Sequence, residues 1–118
     1  MKKVFWGLML LASPAMALTV TDARVVGGNL EVDVRYGGGC KEHSFYLEMR
    51  GCAESYPVQC NLLVKDHTTD DHCEALLGKT VVFNLAKHKL DDPYYNGASL
   101  RIGGVGQQNT VNVRLPRR

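Results

Sequence analysis

Two short stretches hold most of the residues able to do chemistry. Gly37-Gly38-Gly39-Cys40-Lys41-Glu42-His43 presents a thiol, an acid and an imidazole from a glycine hinge, and Asp70-Asp71-His72-Cys73-Glu74 presents the same set again. Two thiolates and two imidazoles would suit tetrahedral zinc. The spacing is only weakly diagnostic, because zinc signatures usually comprise two C-x-x-C or H-x-x-x-H halves. Neighbours on an extended segment also point to opposite faces, so His72 and Cys73 could both ligate only if their loop turns. Without the thiols, His43, His67 and His72 could hold zinc, copper or nickel with Asp66, Asp70, Asp71 or Glu74. Calcium would take the same carboxylates, but the glycine-bearing D-x-D-x-D-G spacing is absent. A solvated acidic loop is the plainer reading and is preferred. The metal alternative rests on His43 and His72.

Catalytic patterns are weaker still. A Cys40 nucleophile with His43 as its base needs a thiolate that stays reduced. No glycine-bracketed serine of the G-x-S-x-G type occurs. Glu42 and Glu74 could act as an acid/base pair, though nothing in their spacing selects them. Gly103-Gly104-Val105-Gly106 is followed by no helical pattern and reads as a hairpin turn, not a phosphate cradle. The expectation is a protein without catalysis or cofactor.

Elements positioning these residues begin after an export signal. Lys2 and Lys3, the apolar run Val4 to Ala12 and the small residues Ala15-Met16-Ala17 make residues 1–17 a secretory signal peptide. Its apolar run falls short of the roughly 20 residues that span a bilayer. The mature chain then starts at Leu18, in the periplasm or secreted, with no membrane span. Of the 118 residues, 14 are Lys or Arg and 12 are Asp or Glu. Loss of Lys2 and Lys3 balances the two signs, which removes the basic bias of a nucleic-acid binder. The tail Arg114, Arg117 and Arg118 reads as a solvated end in preference to a phosphate or lipid contact.

All four cysteines lie in the mature part. Export to an oxidising compartment favours disulfides over zinc, and a small secreted domain gains stability from them. Four cysteines allow three pairings, and sequence alone does not choose. The expected pairing puts Cys52 with Cys60, stapling a hairpin, and Cys40 with Cys73, joining the glycine hinge to the loop after the fourth strand. That second bridge would bring Glu42 and His43 near His72 and Glu74.

Alternation with a period of two marks the strands. Leu30, Val32, Val34 and Tyr36 alternate with Glu31, Asp33 and Arg35, after a Gly27-Gly28-Asn29 turn that pairs them with residues 18–26. Phe45, Leu47 and Met49 form one face of the next strand, and Val58, Cys60, Leu62 and Val64 one face of another. Thr80 to Leu85 reads as a buried strand, and Ala86 to Leu90 as a helical turn. Leu100 and Ile102 begin another strand, and Val111, Val113 and Leu115 mark the last. About seven strands joined by glycine-rich turns give one all-β domain over residues 18–118. Its expected form is a small antiparallel β-sandwich, Ig-like, or a partly open barrel, stapled by disulfides.

The region from Gly38 to Leu85 resembles a group of small secreted bacterial proteins of uncharacterised function. The shared phrases are G-G-C-K-E-H-S-F at Gly38 to Phe45, P-V-Q-C-N-L at Pro57 to Leu62, C-E-A-L at Cys73 to Leu76 and F-N-L at Phe83 to Leu85. The group carries cysteines at the positions of Cys40 and Cys73, which implies that these two pair, with Cys52 and Cys60 an addition here. It reads His-Asp where this chain reads Asp66-His67, so the resemblance assigns His67 no ligand role. It implies no activity.

Few aromatics are present. Tyr94-Tyr95 beside Asn96-Gly97, and Tyr56 between Cys52 and Cys60, sit in turn-like stretches where tyrosines serve as binding anchors. The composite expectation is an exported, non-catalytic binding or interaction domain, an inhibitor or envelope-associated protein. Its partner would be a protein or a cell-envelope ligand. The candidate binding residues are Glu42, His43, Glu74, Tyr94 and Tyr95, and the alternative is a metal-binding protein.

Overall fold

The computed structural model describes residues 18–68 and 70–117, so the signal peptide expected over residues 1–17 lies outside the described residues. Seven strands run β1 Thr19–Val26, β2 Asn29–Gly38, β3 Phe45–Ala53, β4 Gln59–Asp66, β5 Ala75–Asn84, β6 Ser99–Gly103 and β7 Val111–Arg114. A 3-10 turn, Pro93–Tyr95, precedes β6. One sheet (sheet A) has the order β1-β2-β5 and the other (sheet B) the order β3-β4-β6-β7. They pack as a β-sandwich without closing into a barrel.

The alternating residues form the interior. Leu30, Val32, Val34 and Tyr36 of β2 meet Val58, Cys60, Leu62 and Val64 of the β4 region, with Leu100 and Ile102 of β6 completing one core. Leu30, Val32, Leu100 and Ile102 are wholly buried. Each such side chain contributes roughly 1.5–3 kcal/mol relative to exposure. Gly27, with φ +62°, takes the first place of the two-residue turn between β1 and β2, where a positive φ lets the hairpin close.

Three features differ from the expected pattern. β4 and β6 pair in parallel, Cys60 opposite Leu100 and Leu62 opposite Ile102, so sheet B is mixed instead of wholly antiparallel. The segment from Leu85 to Leu90 allows this, carrying the chain over the end of the sandwich through a helical turn in which His88 N–H donates to the Asn84 carbonyl. β5 starts earlier than Thr80 and is an edge strand, with Leu76 and Val82 more than half exposed. Lys79 stands opposite Val34 on the inner side, its Nζ 5.8 Å from the Phe45 ring centroid. An inward-facing charge of this kind protects an edge from further strand pairing.

The sandwich is fastened on its other side by Gln107, in the β6–β7 connection. Its Oε1 accepts from Val20 N–H at 2.8 Å and Gly104 N–H at 2.9 Å, and its Nε2 donates to the Val20 and Asn109 carbonyls at 2.8 Å. One side-chain amide thus pairs with both backbone groups of Val20, as a neighbouring strand would. Gly104 is required there, since a Cβ would meet the Leu18 carbonyl oxygen at 2.2 Å.

Candidate functional site

The chemistry-bearing residues fall at two opposite ends of sheet A. Gly37 and Gly38 pair with Leu76 and Ala75 at one end of β2, and Asn29 pairs with Asn84 at the other. Ten residues of strand separate them by about 30 Å. Glu42, His43 and Glu74 therefore belong to one end and Tyr94 and Tyr95 to the other. They do not form a single surface.

At the first end, Cys40 is bridged to Cys73 across 33 residues, with their Cα atoms 5.7 Å apart. Beneath the bridge His43 lies between two carboxylates, Nδ1 at 2.5 Å from Asp66 Oδ2 and Nε2 at 2.7 Å from Asp71 Oδ2. The His43 and Asp71 side chains are only 4% and 3% exposed, which seals both from any substrate. An ionised carboxylate can only accept, so this arrangement favours the imidazolium form, in which both ring nitrogens donate. The hydrogen bonds it donates to Asp71 first and Asp66 second hold its pKa above the ordinary histidine value, against the opposing effect of burial. The ring is flanked by Tyr36, 4.8 Å between centroids, and Phe45 at 6.3 Å.

Asp71 gathers the rest of this end. Its oxygens accept from the backbone N–H of Gly39, Cys40, Lys41 and Cys73 at 3.1–3.4 Å. The His43 hydrogen bond first, followed by these backbone donors, holds the carboxyl well below the usual carboxylate range. Burial opposes the shift and is outweighed. Gly38 makes the approach possible. A Cβ there would lie 2.6 Å from both Asp71 Oδ2 and His43 Nε2.

This geometry leaves little for a metal. Cys40, Asp71 and Cys73 lie close enough to share an ion, but the two sulfurs are bonded to each other and are not thiolates. Both nitrogens of His43 are engaged. His72 is exposed, and His67 packs at a tilt against Tyr46 with centroids 4.6 Å apart. Glu42 and Glu74 are exposed, and neither side chain makes an ion pair among the described residues. The cluster is a clamp between two loops.

The second end carries the aromatics. Asp92 caps the 3-10 turn, its side chain accepting from Tyr94 N–H at 2.9 Å. Tyr94 OH donates to Glu54 Oε2 at 2.9 Å, which ties this turn to the loop between Cys52 and Cys60 and pushes the phenol pKa up. That loop is closed by the second disulfide, across directly opposed residues of β3 and β4. Its Tyr56 is 98% exposed. At this end of the sandwich Leu85, Leu90, Tyr95, Leu115 and Pro116 line a cavity of about 320 Å³, together with Asn84 and Asp91. That volume and apolar lining fall in the range of small-ligand sites.

Sequence reasoning named Tyr95 but not the cavity, which forms only when the Leu85–Leu90 turn and the C-terminal strand meet. Asp66 and Asp71 read in the sequence as candidate metal ligands, whereas the structure pairs both with His43. No local pattern announces it, because the partners lie in different loops. Both expected disulfides are present, and no cysteine is free. No family model, curated protein or solved structure matches this chain.

Proposed function

We propose that the protein is an exported, non-catalytic binding domain that engages a protein or cell-envelope ligand through the tyrosine-bearing end of the sandwich. The cavity lined by Leu85, Leu90, Tyr95 and Leu115 carries this reading. Apolar surface and an aromatic, Tyr95, coincide there, and the exposed Tyr94 ring packs on Tyr95 with centroids 4.9 Å apart. Such a combination suits capture of an apolar side chain or acyl group. Two disulfides fit a life in the periplasm or outside the cell. No helix among the described residues is long and apolar enough to cross a membrane.

The burial of His43 and Asp71 supports the non-catalytic reading. The acid–imidazole–acid set resembles catalytic machinery in composition, yet it is sealed and already saturated with hydrogen bonds. The same observation ranks metal binding second. Ala86 is exposed at the cavity mouth, so Ala86→Trp should block entry while leaving the core intact. Retention of ligand from an envelope extract by wild type and its loss in Ala86→Trp would support the proposal. Equal retention by both would refute it.

A further inference from the structure

The outer face of sheet B holds a second set of residues that no motif announces. Strand alternation puts Gln59 and Asn61 of β4, Ser99 and Arg101 of β6, and Asn112 and Arg114 of β7 on this one surface. Arg101 stands opposite Asn61 on one side and Asn112 on the other, while Arg114 stands opposite Ser99. The two arginines are therefore diagonal neighbours, within reach of a common group. Both are exposed, and neither has a carboxylate partner among the described residues. The acid on this face, Glu48, is already occupied by Arg50 at 2.7 Å and Lys65 at 2.8 Å.

A cleft of about 120 Å³ opens at this point, lined by Ala53, Gln59, Cys60, Asn61, Ser99 and Arg101. Its size suits a small oxyanion and lies below the roughly 300 Å³ at which drug-sized ligand sites begin. The Cys52–Cys60 bridge cross-links β3 and β4 from the inner face and so holds the strand carrying Gln59 and Asn61 in place. Asn61, Gln59 and Ser99 supply neutral donors around a guanidinium whose planar fork matches phosphate oxygens.

We propose that this cleft binds a phosphoryl group, with Arg101 as its principal contact and Arg114 as the second cation. Arg101 in the cleft and Arg114 as its diagonal neighbour, neither with a carboxylate partner among the described residues, favour a dianion over a single carboxylate. Arg114, which in the sequence belongs to a basic tail, is thus drawn by β7 into a site on the sheet. The cleft is separate from the apolar cavity, so either can fail without the other.

The test is a titration of isotopically labelled mature protein with inorganic phosphate and, separately, glycerol phosphate, followed by backbone amide NMR shifts, with acetate at matched ionic strength as control. Saturable shifts centred on Asn61, Ser99, Arg101 and Arg114 are expected with phosphate or its ester and not with acetate. The tighter of the two ligands tells whether free phosphate or an esterified group is the natural occupant. Arg101→Gln, a surface change that should leave the melting temperature unaltered, should weaken binding about tenfold or more, and Arg101→Lys should restore part of it. Linear shifts without saturation, an equal response to acetate, or unchanged affinity in Arg101→Gln would each overturn the proposal.

Discussion

His43 and Asp71, 28 residues apart in the chain, share a hydrogen bond of 2.7 Å while Asp71 also receives four backbone N–H groups from both sides of the Cys40–Cys73 bridge. The glycine hinge and the acidic loop are thereby locked to one another by a charge pair as well as by a covalent bond. Breaking a buried pair by removing one partner is costly because the survivor is left uncompensated.

Stability should therefore depend on pH from both directions. The His43 pKa is raised on folding, so its contribution is complete below its unfolded value, about 6.5, and is lost as pH rises through the folded value. The Asp71 pKa is lowered, so its contribution is complete above its unfolded value, about 3.9, and is lost as pH falls. Thermal melts should show greatest stability between about pH 4 and 6.5. In His43→Gln the alkaline decline should flatten. An unchanged alkaline limb in that variant would remove His43 as its source.

Gly38 should tolerate no side chain. Gly38→Ala places a methyl group against Asp71 and His43 and should destabilise by about 1–3 kcal/mol, the usual cost of overpacking. Gly28→Ala is the control, since nothing lies within 4 Å of its Cβ. Denaturant melts of the two variants check the difference, and equal stabilities would contradict the packing around the clamp.

The two disulfides should differ in weight. In the chain-entropy treatment, the 33-residue separation of Cys40 and Cys73 corresponds to about 3.7 kcal/mol and the 8-residue separation of Cys52 and Cys60 to about 2.5 kcal/mol. Cys40→Ser with Cys73→Ser should lower the denaturation midpoint more than Cys52→Ser with Cys60→Ser. A reversed order would mean that the unfolded chain is not the main term.

Gln107→Ala should cost about 1–3 kcal/mol, because it leaves the Val20 backbone groups without their partner. Amide exchange at Val20 should accelerate in that variant, while exchange at Val32, in the middle strand, should follow global stability. Protection retained at Val20 would show that the Gln107 amide is dispensable.

Much of this architecture is readable in the chain, and the unreadable parts have a common cause. The alternation of Leu30, Val32, Val34 and Tyr36, and of Val58, Cys60, Leu62 and Val64, marks inner faces that the sandwich buries. Hairpin neighbours such as Cys52 and Cys60 follow from short connections. The first half of β5 is obscured by Gly78 and by Lys79, which interrupt the apolar pattern because an edge strand needs less of it. Partners that meet only through the assembled sheets leave no local trace. The parallel pairing of β4 with β6, the His43–Asp71 contact and the approach of Arg114 to Arg101 are all of this kind. Tyr95 was visible as an aromatic in a turn, while its cavity depends on Leu85, Leu90 and Leu115 arriving from two other segments.

The central claim is that recognition occurs at the tyrosine end and not at the clamp. Ligand retention from an envelope extract by four immobilised proteins tests it most directly: wild type, Ala86→Trp, Tyr95→Ala, and the double variant Glu42→Gln with Glu74→Gln. The first and last should retain the same ligand, while Ala86→Trp and Tyr95→Ala should lose most of it. Loss in the glutamate variant with retention in Ala86→Trp would contradict the claim and move the functional surface to the disulfide-clamped end.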